Sequence, residues 1–361
     1  MSVKPVSCRL LAMSATAAWL ALFCSVAQSQ TTSVKPSSAD YAAAREVTNH
    51  THHAWRANTP TARMASRSDR QPASSAEAVA SAPDSGGPRY PADLQYLGGP
   101  VVVSMESHAI YLNPNGSCTV ARCWGNPTGF LRNLGKSDFI HFVDQYTGSS
   151  VNNRYRVAEE STNINYTPPA TPLGDNDILA LVHAVVVARS DDDHGFATGY
   201  GNEYHVFLPP GQDECFNNPD GTLSGVCYSP DNPATFFFCA YHGSADFKDI
   251  GHVLYSVEPF QNVDGCNVRP GTPNGPLADA TNNSLSHETF ETITDPDGDA
   301  WINIFTNVLF GAEIGDECSF LAFDATGNIV GFDPSNVALN DKNYAVQPEY
   351  DNFAHACTTK P

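Results

Sequence analysis

"LGDNDILALVHAVVVARSDDD", Leu173 to Asp193, is the stretch on which the fold turns. Asp175, Asn176 and Asp177 are candidate N-caps, because short polar side chains accept hydrogen bonds from the free N–H groups of a first helical turn. Ile178 to Val187 is then almost continuously apolar, so the segment is expected as a largely buried helix that ends in an acidic loop. Three short segments follow it: "EYHVFLPP" (203–210), "TFFFCAYH" (235–242) and "GHVLYSVEP" (251–259). Each is aromatic or β-branched and bounded by Gly or Pro, the pattern of a strand.

The flanks continue the mixture. "GGPVVVSMESHAIYLN" (98–113) opens with the apolar run Pro100 to Val103, expected as a buried strand. In "NPTGFLRNLGKSDFIHFVDQYTG" (126–148), Phe130, Leu131, Leu134, Ile140, Phe142 and Val143 recur at helical spacing with a break near Gly135, which predicts one or two short helices. "FGAEIGDECSFLAF" (310–323), a Gly-Asn turn at 327–328 and "NYAVQPEYDNFAHAC" (343–357) predict a small β-rich end closed by a disulfide. Helices and strands intermix without a repeat. The expected class is α/β or α+β, in a single mixed-sheet domain over 93–361 with flanking helices.

Ahead of that domain, Lys4 and Arg9 precede the apolar run Leu10 to Ala27, and Ser25-Val26-Ala27 offers small residues for cleavage. Residues 1–27 are expected as a signal peptide. The run is short and carries Ser, Thr and Cys, so stable membrane insertion is not expected. Residues 28–92, rich in Ala, Ser, Thr, Pro and Arg without an apolar period, are expected as a disordered linker or a propeptide. The 361-residue chain carries a net charge of −20, with its spare bases concentrated before Asp93. So acidic a core repels nucleic acid and accommodates cations. Cys118, Cys123, Cys215, Cys227, Cys239, Cys266, Cys318 and Cys357 form an even set in a chain expected to be secreted, extracellular or periplasmic. Cys118–Cys123 and Cys318–Cys357 are the expected pairs, with two further bonds among the middle four.

The chemistry concentrates in "SLSHETFETITDPDGDAW", Ser284 to Trp301. At about 100° per residue, Leu285, Phe290 and Ile293 fall on one side of a helix and His287, Glu288, Glu291 and Asp295 on the other. His287 and Glu291, one turn apart, can converge on one cation, as the paired ligands of H-E-x-x-H do on zinc. Glu288 is then the candidate general base for an activated water, with His242 of "FCAYHG" as a second catalytic candidate. Asp295 is the expected third ligand, since Pro296 ends the helix there; Glu313, Asp316 and His242 compete for that place.

A bland reading stands beside this one, because an acidic protein also puts Glu on wet helix faces. The alternation of Asp295, Asp297 and Asp299 admits a calcium loop, although a plain Asp-Gly turn has the same pattern. His141, His183, His205 and His252 lie in apolar surroundings where a hydrogen-bonded core imidazole is usual. "NHTHH" (49–53) falls in the expected linker. Asn49, Asn115, Asn165 and Asn282 open glycosylation sequons. Neither a nucleophile elbow, a phosphate loop nor a dinucleotide fingerprint is present.

Six blocks in order, "FLRNLGKSDFIHFVDQYTG", "YHVFLPPG", "FCAYHG", "LSHETFETITDP", "EIGDEC" and "YAVQPEYDN", resemble a group of secreted bacterial and fungal proteins with an H-E-x-x-E-x-x-T-D-P core. That group is distantly similar to the plant phosphate-induced protein 1, or EXORDIUM, family. The resemblance runs from about Gly98 to Cys357. It carries over His242, His287, Glu288, Glu291, Thr294, Asp295, Glu313 and Asp316, and implies export. The plant members are associated with the cell wall and lack the His-Glu pair. Insertions at 213–235 and near 269–278 depart from the pattern.

Two functions are therefore expected in competition. One is a secreted, peptidase-like hydrolase with zinc on His287, Glu291 and Asp295. The other is a non-catalytic protein that binds an extracellular protein or cell-surface polymer, with a structural calcium or no metal, in which the linker is a tether.

Overall fold

The computed structural model describes residues 34–55, 93–114, 118–165, 172–190, 195–304, 312–323 and 329–361. A seven-stranded sheet lies at its centre. In chain order its strands are β1 (Thr48–Trp55), β2 (Met105–Leu112), β3 (Tyr155–Val157), β4 (Thr162–Ile164), β5 (Asn202–Phe207), β6 (Phe238–Phe247) and β7 (Gly251–Glu258). Across the sheet the order is β1-β6-β7-β5-β2-β3, and β4 also pairs with β2. β6 is antiparallel to both of its neighbours, β1 and β7, whereas β7, β5, β2 and the short pair β3 and β4 run parallel. The mixed α/β class expected from the sequence is the class observed.

Three helices matter for the site: α1 (Ser38–Ala44), α2 (Asp175–Ala188) and α3 (Pro276–Thr294). Successive strand residues point to opposite faces, so each strand feeds two cores. On one face Tyr204, Val206, Tyr255 and Val257 pack with Val182, Val185 and Val186 of α2. On the other, Phe207, Leu254 and Tyr111 join Leu285, Phe290 and Ile293 of α3. Ile178 to Val186 is buried throughout, as an all-apolar helix surface requires. The cap of α2 differs from expectation: Asp177 Oδ2 accepts the N–H of Gly174 at 2.8 Å, so the cap residue is Gly174. The acidic loop after α2 lies outside the described residues.

Two further expectations are corrected. Pro100 to Val103 is not a strand; pairing begins at Met105. Val102 instead donates its N–H to the carbonyl of Ile293 at 2.9 Å, which fastens this segment to the end of α3. Likewise, residues 34–55, expected within a disordered linker or a propeptide over 28–92, are ordered and belong to the folded unit. β1 pairs with β6 along its length, and α1 packs on α2, where His183 Nδ1 stands 2.7 Å from Asp40 Oδ1. The hydroxyl of Tyr255 donates to Asn49 Oδ1 at 2.7 Å. A polar segment with no apolar period folds here because the edge of β6 supplies its hydrogen bonds. The rest of 28–92 that precedes and follows this segment lies outside the described residues.

The C-terminal part is β-rich as expected. Hairpins pair Leu321–Phe323 with Ile329–Phe332, Ser335–Leu339 with Lys342–Val346, and Glu349–Asp351 with Ala356–Thr358. The expected turn at 327–328 lies outside the described residues. Disulfides join Cys118 to Cys123, Cys215 to Cys227, Cys239 to Cys266 and Cys318 to Cys357. Among the described residues no helix is long and apolar enough to cross a membrane.

Candidate metal centre

α3 is buried on every side from Asp279 to Thr294. Pro276 at its first turn supplies a preset φ, and Pro296 stops it after Asp295. Its apolar side packs on the short helices of 127–143, with the Phe139 and Phe290 rings edge to face at 5.3 Å. The opposite side meets β6 and the 313–318 loop. His287, Glu288 and Glu291 are therefore interior groups, and the reading of a solvated acidic helix face is excluded.

His287 Nε2 lies 3.1 Å from Glu291 Oε1 and 3.7 Å from Asp316 Oδ1. Its Nδ1 faces Gln347 Oε1 at 3.1 Å; since that oxygen only accepts, Nδ1 is the donor there and Nε2 is the nitrogen turned to the carboxylates. His242 Nδ1 lies 3.3 Å from Glu288 Oε2 and 3.7 Å from Glu291 Oε2. On the far side of that ring, Nε2 faces the Asp295 carbonyl at 3.4 Å and Glu313 Oε1 at 3.6 Å. Two triplets result, His242 with Glu288 and Glu291, and His287 with Glu291 and Asp316, each with its donor atoms within 4.8 Å of one another.

These donors fit a cation better than they fit each other. His287 Nε2, Glu288 Oε1 and Glu291 Oε2 are buried without a hydrogen-bond partner. Leaving such groups unmatched costs about 1–3 kcal/mol each, more when charged. Burial above all, and neighbouring carboxylates next, push the Glu313 carboxyl well above its ordinary range, and burial likewise raises Glu288, Asp316 and Glu349. For His287 burial works downward, but Glu291, Glu288 and Asp316 outweigh it and raise the imidazole well above its usual value. A divalent ion supplies the positive charge this cluster of acids lacks.

The loop carrying Asp316 is seated by Gly315. A Cβ there would stand 2.6 Å from His287 Nδ1 and 2.9 Å from Glu291 Oε1, so only glycine allows this approach. Gln347 Nε2 donates to the Gly315 carbonyl at 2.6 Å, and the Asp316 N–H donates to Glu291 Oε1 at 3.1 Å.

The sequence-expected residues divide. His287, Glu291, Glu288 and His242 come together; Asp295 does not join either triplet. Its Oδ1 turns forward to accept the Ala300 N–H at 2.6 Å, closing the loop after α3, and Asp316 stands where a third donor was expected. In that loop no Asp belongs to a His, Asp or Glu triplet among the described residues. Asp297 is engaged by the Tyr200 hydroxyl at 2.6 Å and by His252 Nε2 at 3.4 Å, and none of Asp295, Asp297 and Asp299 enters a metal-holding triplet. His205 is a core imidazole, 2.9 Å from Ser256 Oγ, its pKa pushed down to about 3 chiefly by burial. Asn282 is buried in α3, so its sequon is closed to glycosylation in the folded chain. Sequence reasoning gave no role to Gln347, Gly315 or Glu349, although Gln347 and Glu349 lie in "YAVQPEYDN" and Gly315 in "EIGDEC".

No family model matches the chain, and neither a curated protein nor a solved structure does.

Proposed function

We propose that the chain is a secreted metal-dependent hydrolase of peptide-like bonds, in which His287, Glu291 and Asp316 hold the cation and Glu288 is the general base. The convergence of an imidazole and two carboxylates from α3 and the 313–318 loop, in a water-poor interior, carries this reading. One nitrogen and two oxygens suit zinc, and also manganese or iron(II). Bound there, such a cation supplies an acidified water and polarises the substrate carbonyl. Glu288 stands beside these donors with Oε1 unpartnered, and burial raises its affinity for a proton, as a base near neutrality needs. His242, 3.3 Å away, positions that carboxylate. Secretion is supported by the apolar leader and the four disulfides.

One observation favours the competing reading, an EXORDIUM-like binding protein for an extracellular partner or cell-surface polymer with a structural cation. The cavity that touches His287, lined also by Asn283, Ser284, Ser319 and Gln347, measures about 20 Å³, room for one water and no substrate. Metal analysis and casein hydrolysis by wild type and Glu288→Gln separate the two. The hydrolase reading expects stoichiometric metal, rates abolished by a chelator, and a Glu288→Gln rate lower by about 10²–10⁴ with the His287-bound cation retained. A metal-loaded wild type that cleaves nothing supports the binding protein.

A further inference from the structure

We infer that the centre holds two cations, not one, with Glu291 bridging them. The inference rests on the reading that this cluster is a metal site, and extends it to a second position the sequence motif does not contain.

Glu291 presents its two oxygens to different imidazoles. Oε1 lies 3.1 Å from His287 Nε2, and Oε2 lies 3.7 Å from His242 Nδ1. Each oxygen has its own company: Asp316 joins the first and Glu288 the second, so the two triplets share Glu291 and nothing else. A single ion on the His287 side engages neither Glu291 Oε2 nor the pair that His242 Nδ1 forms with Glu288 Oε2. Glu291 Oε2, a buried oxygen without a hydrogen-bond partner, belongs to this second triplet.

Both rings also have the outer contacts of metal-bound histidines. His287 is held from behind by Gln347 at 3.1 Å, and His242 by the Asp295 carbonyl at 3.4 Å. Such contacts fix which ring nitrogen faces the ion. Charge points the same way. Glu288, Glu291, Glu313 and Asp316 are four carboxylates around two imidazoles, almost fully withdrawn from water. Asp295, Glu349 and Glu258 are buried around them, so a second divalent ion compensates charge that one ion leaves. A bridging carboxylate holds its ions about 3.5–4 Å apart, the separation of two-metal hydrolytic sites. Glu288 then ligates through Oε2 and keeps Oε1 as the proton acceptor, so the base assignment survives.

The test uses the full chain, stripped with a chelator, reloaded with manganese(II), desalted, and measured by elemental analysis and electron paramagnetic resonance. Two manganese ions per chain with an exchange-coupled spectrum are expected. His242→Ala should reduce the count to one and return the isolated six-line signal of a single ion. One ion per chain in the wild type, with the six-line signal, overturns the second site and leaves the proposed function standing. No retained ion overturns both. The wild-type spectrum needs no substitution, so a His242→Ala chain that fails to fold does not spare the inference.

Discussion

Gly315 has an ordinary φ of −78°, so it is glycine for lack of room and not for its torsion. The atoms it would strike, His287 Nδ1 at 2.6 Å and Glu291 Oε1 at 2.9 Å, belong to the groups that hold the site together. Gly315→Ala should push the loop away from α3 and carry Asp316 with it. The expected outcome is at least tenfold weaker metal binding by calorimetric titration, with stability lower by about 1–3 kcal/mol in a denaturant melt. Unchanged affinity would refute the role given to Asp316. Gln347 acts at the other end of the same ring. Gln347→Leu removes the acceptor that fixes the His287 tautomer and should weaken metal binding about 10–100-fold, the usual effect of losing an outer contact on a ligand histidine. Retention of wild-type affinity in that variant would mean that Asp316 and Glu291 orient the ring unaided.

At the scale of elements, the sequence was legible where one element carries its own pattern. The apolar run of α2, interrupted only by His183, foretold burial, and the one-turn spacing of His287 and Glu291 foretold a shared face on α3. What it could not show is set by partners distant in the chain. Asp316 and Gln347 reach His287 only through the folding of the C-terminal loops. α1 and β1 form because β6 and α2 are there to receive them. That docking titrates. Burial raises Asp40 and Asp249, but hydrogen bonds from Ser37 and His183 to Asp40, and from His183 to Asp249, leave both carboxyls below their ordinary range. A depressed carboxyl stabilises the fold above its unfolded value of about 3.9, and that contribution disappears as pH falls through the lower folded values. Amide-exchange protection in 38–55, taken relative to the intrinsic rate at each pH, should therefore fall below about pH 4 before that of the central strands. His183→Ala should raise exchange in the same segment at neutral pH and cost about 2 kcal/mol, since it removes charge-assisted hydrogen bonds. Uniform acceleration across the whole sheet would show instead that α1 and β1 are inseparable from the core.

At the scale of the molecule, the disulfides divide by what they hold. Cys118–Cys123 closes a separation of 5 residues around the short helix Val120–Cys123, which carries none of the candidate site residues. Cys318–Cys357 closes a separation of 39 and ties the loop of Gly315 and Asp316 to the last hairpin. Loop-closure entropy gives the longer link about 3–4 kcal/mol of stabilisation, and its position couples that energy to the candidate metal centre. The coupling runs both ways, because a cation that binds only the folded loop stabilises the fold by mass action. Replacing Cys318 and Cys357 together with Ser should thus weaken zinc binding, and should lower thermal stability without metal and by more at saturating zinc, because the variant gains less from the ion. Replacing Cys118 and Cys123 with Ser should leave zinc affinity as it was. Thermal melts of both double variants across a zinc titration check this. Equal zinc dependence in the two would mean that the 313–318 loop holds its shape without the disulfide, and that α3 and Gln347 alone organise the centre.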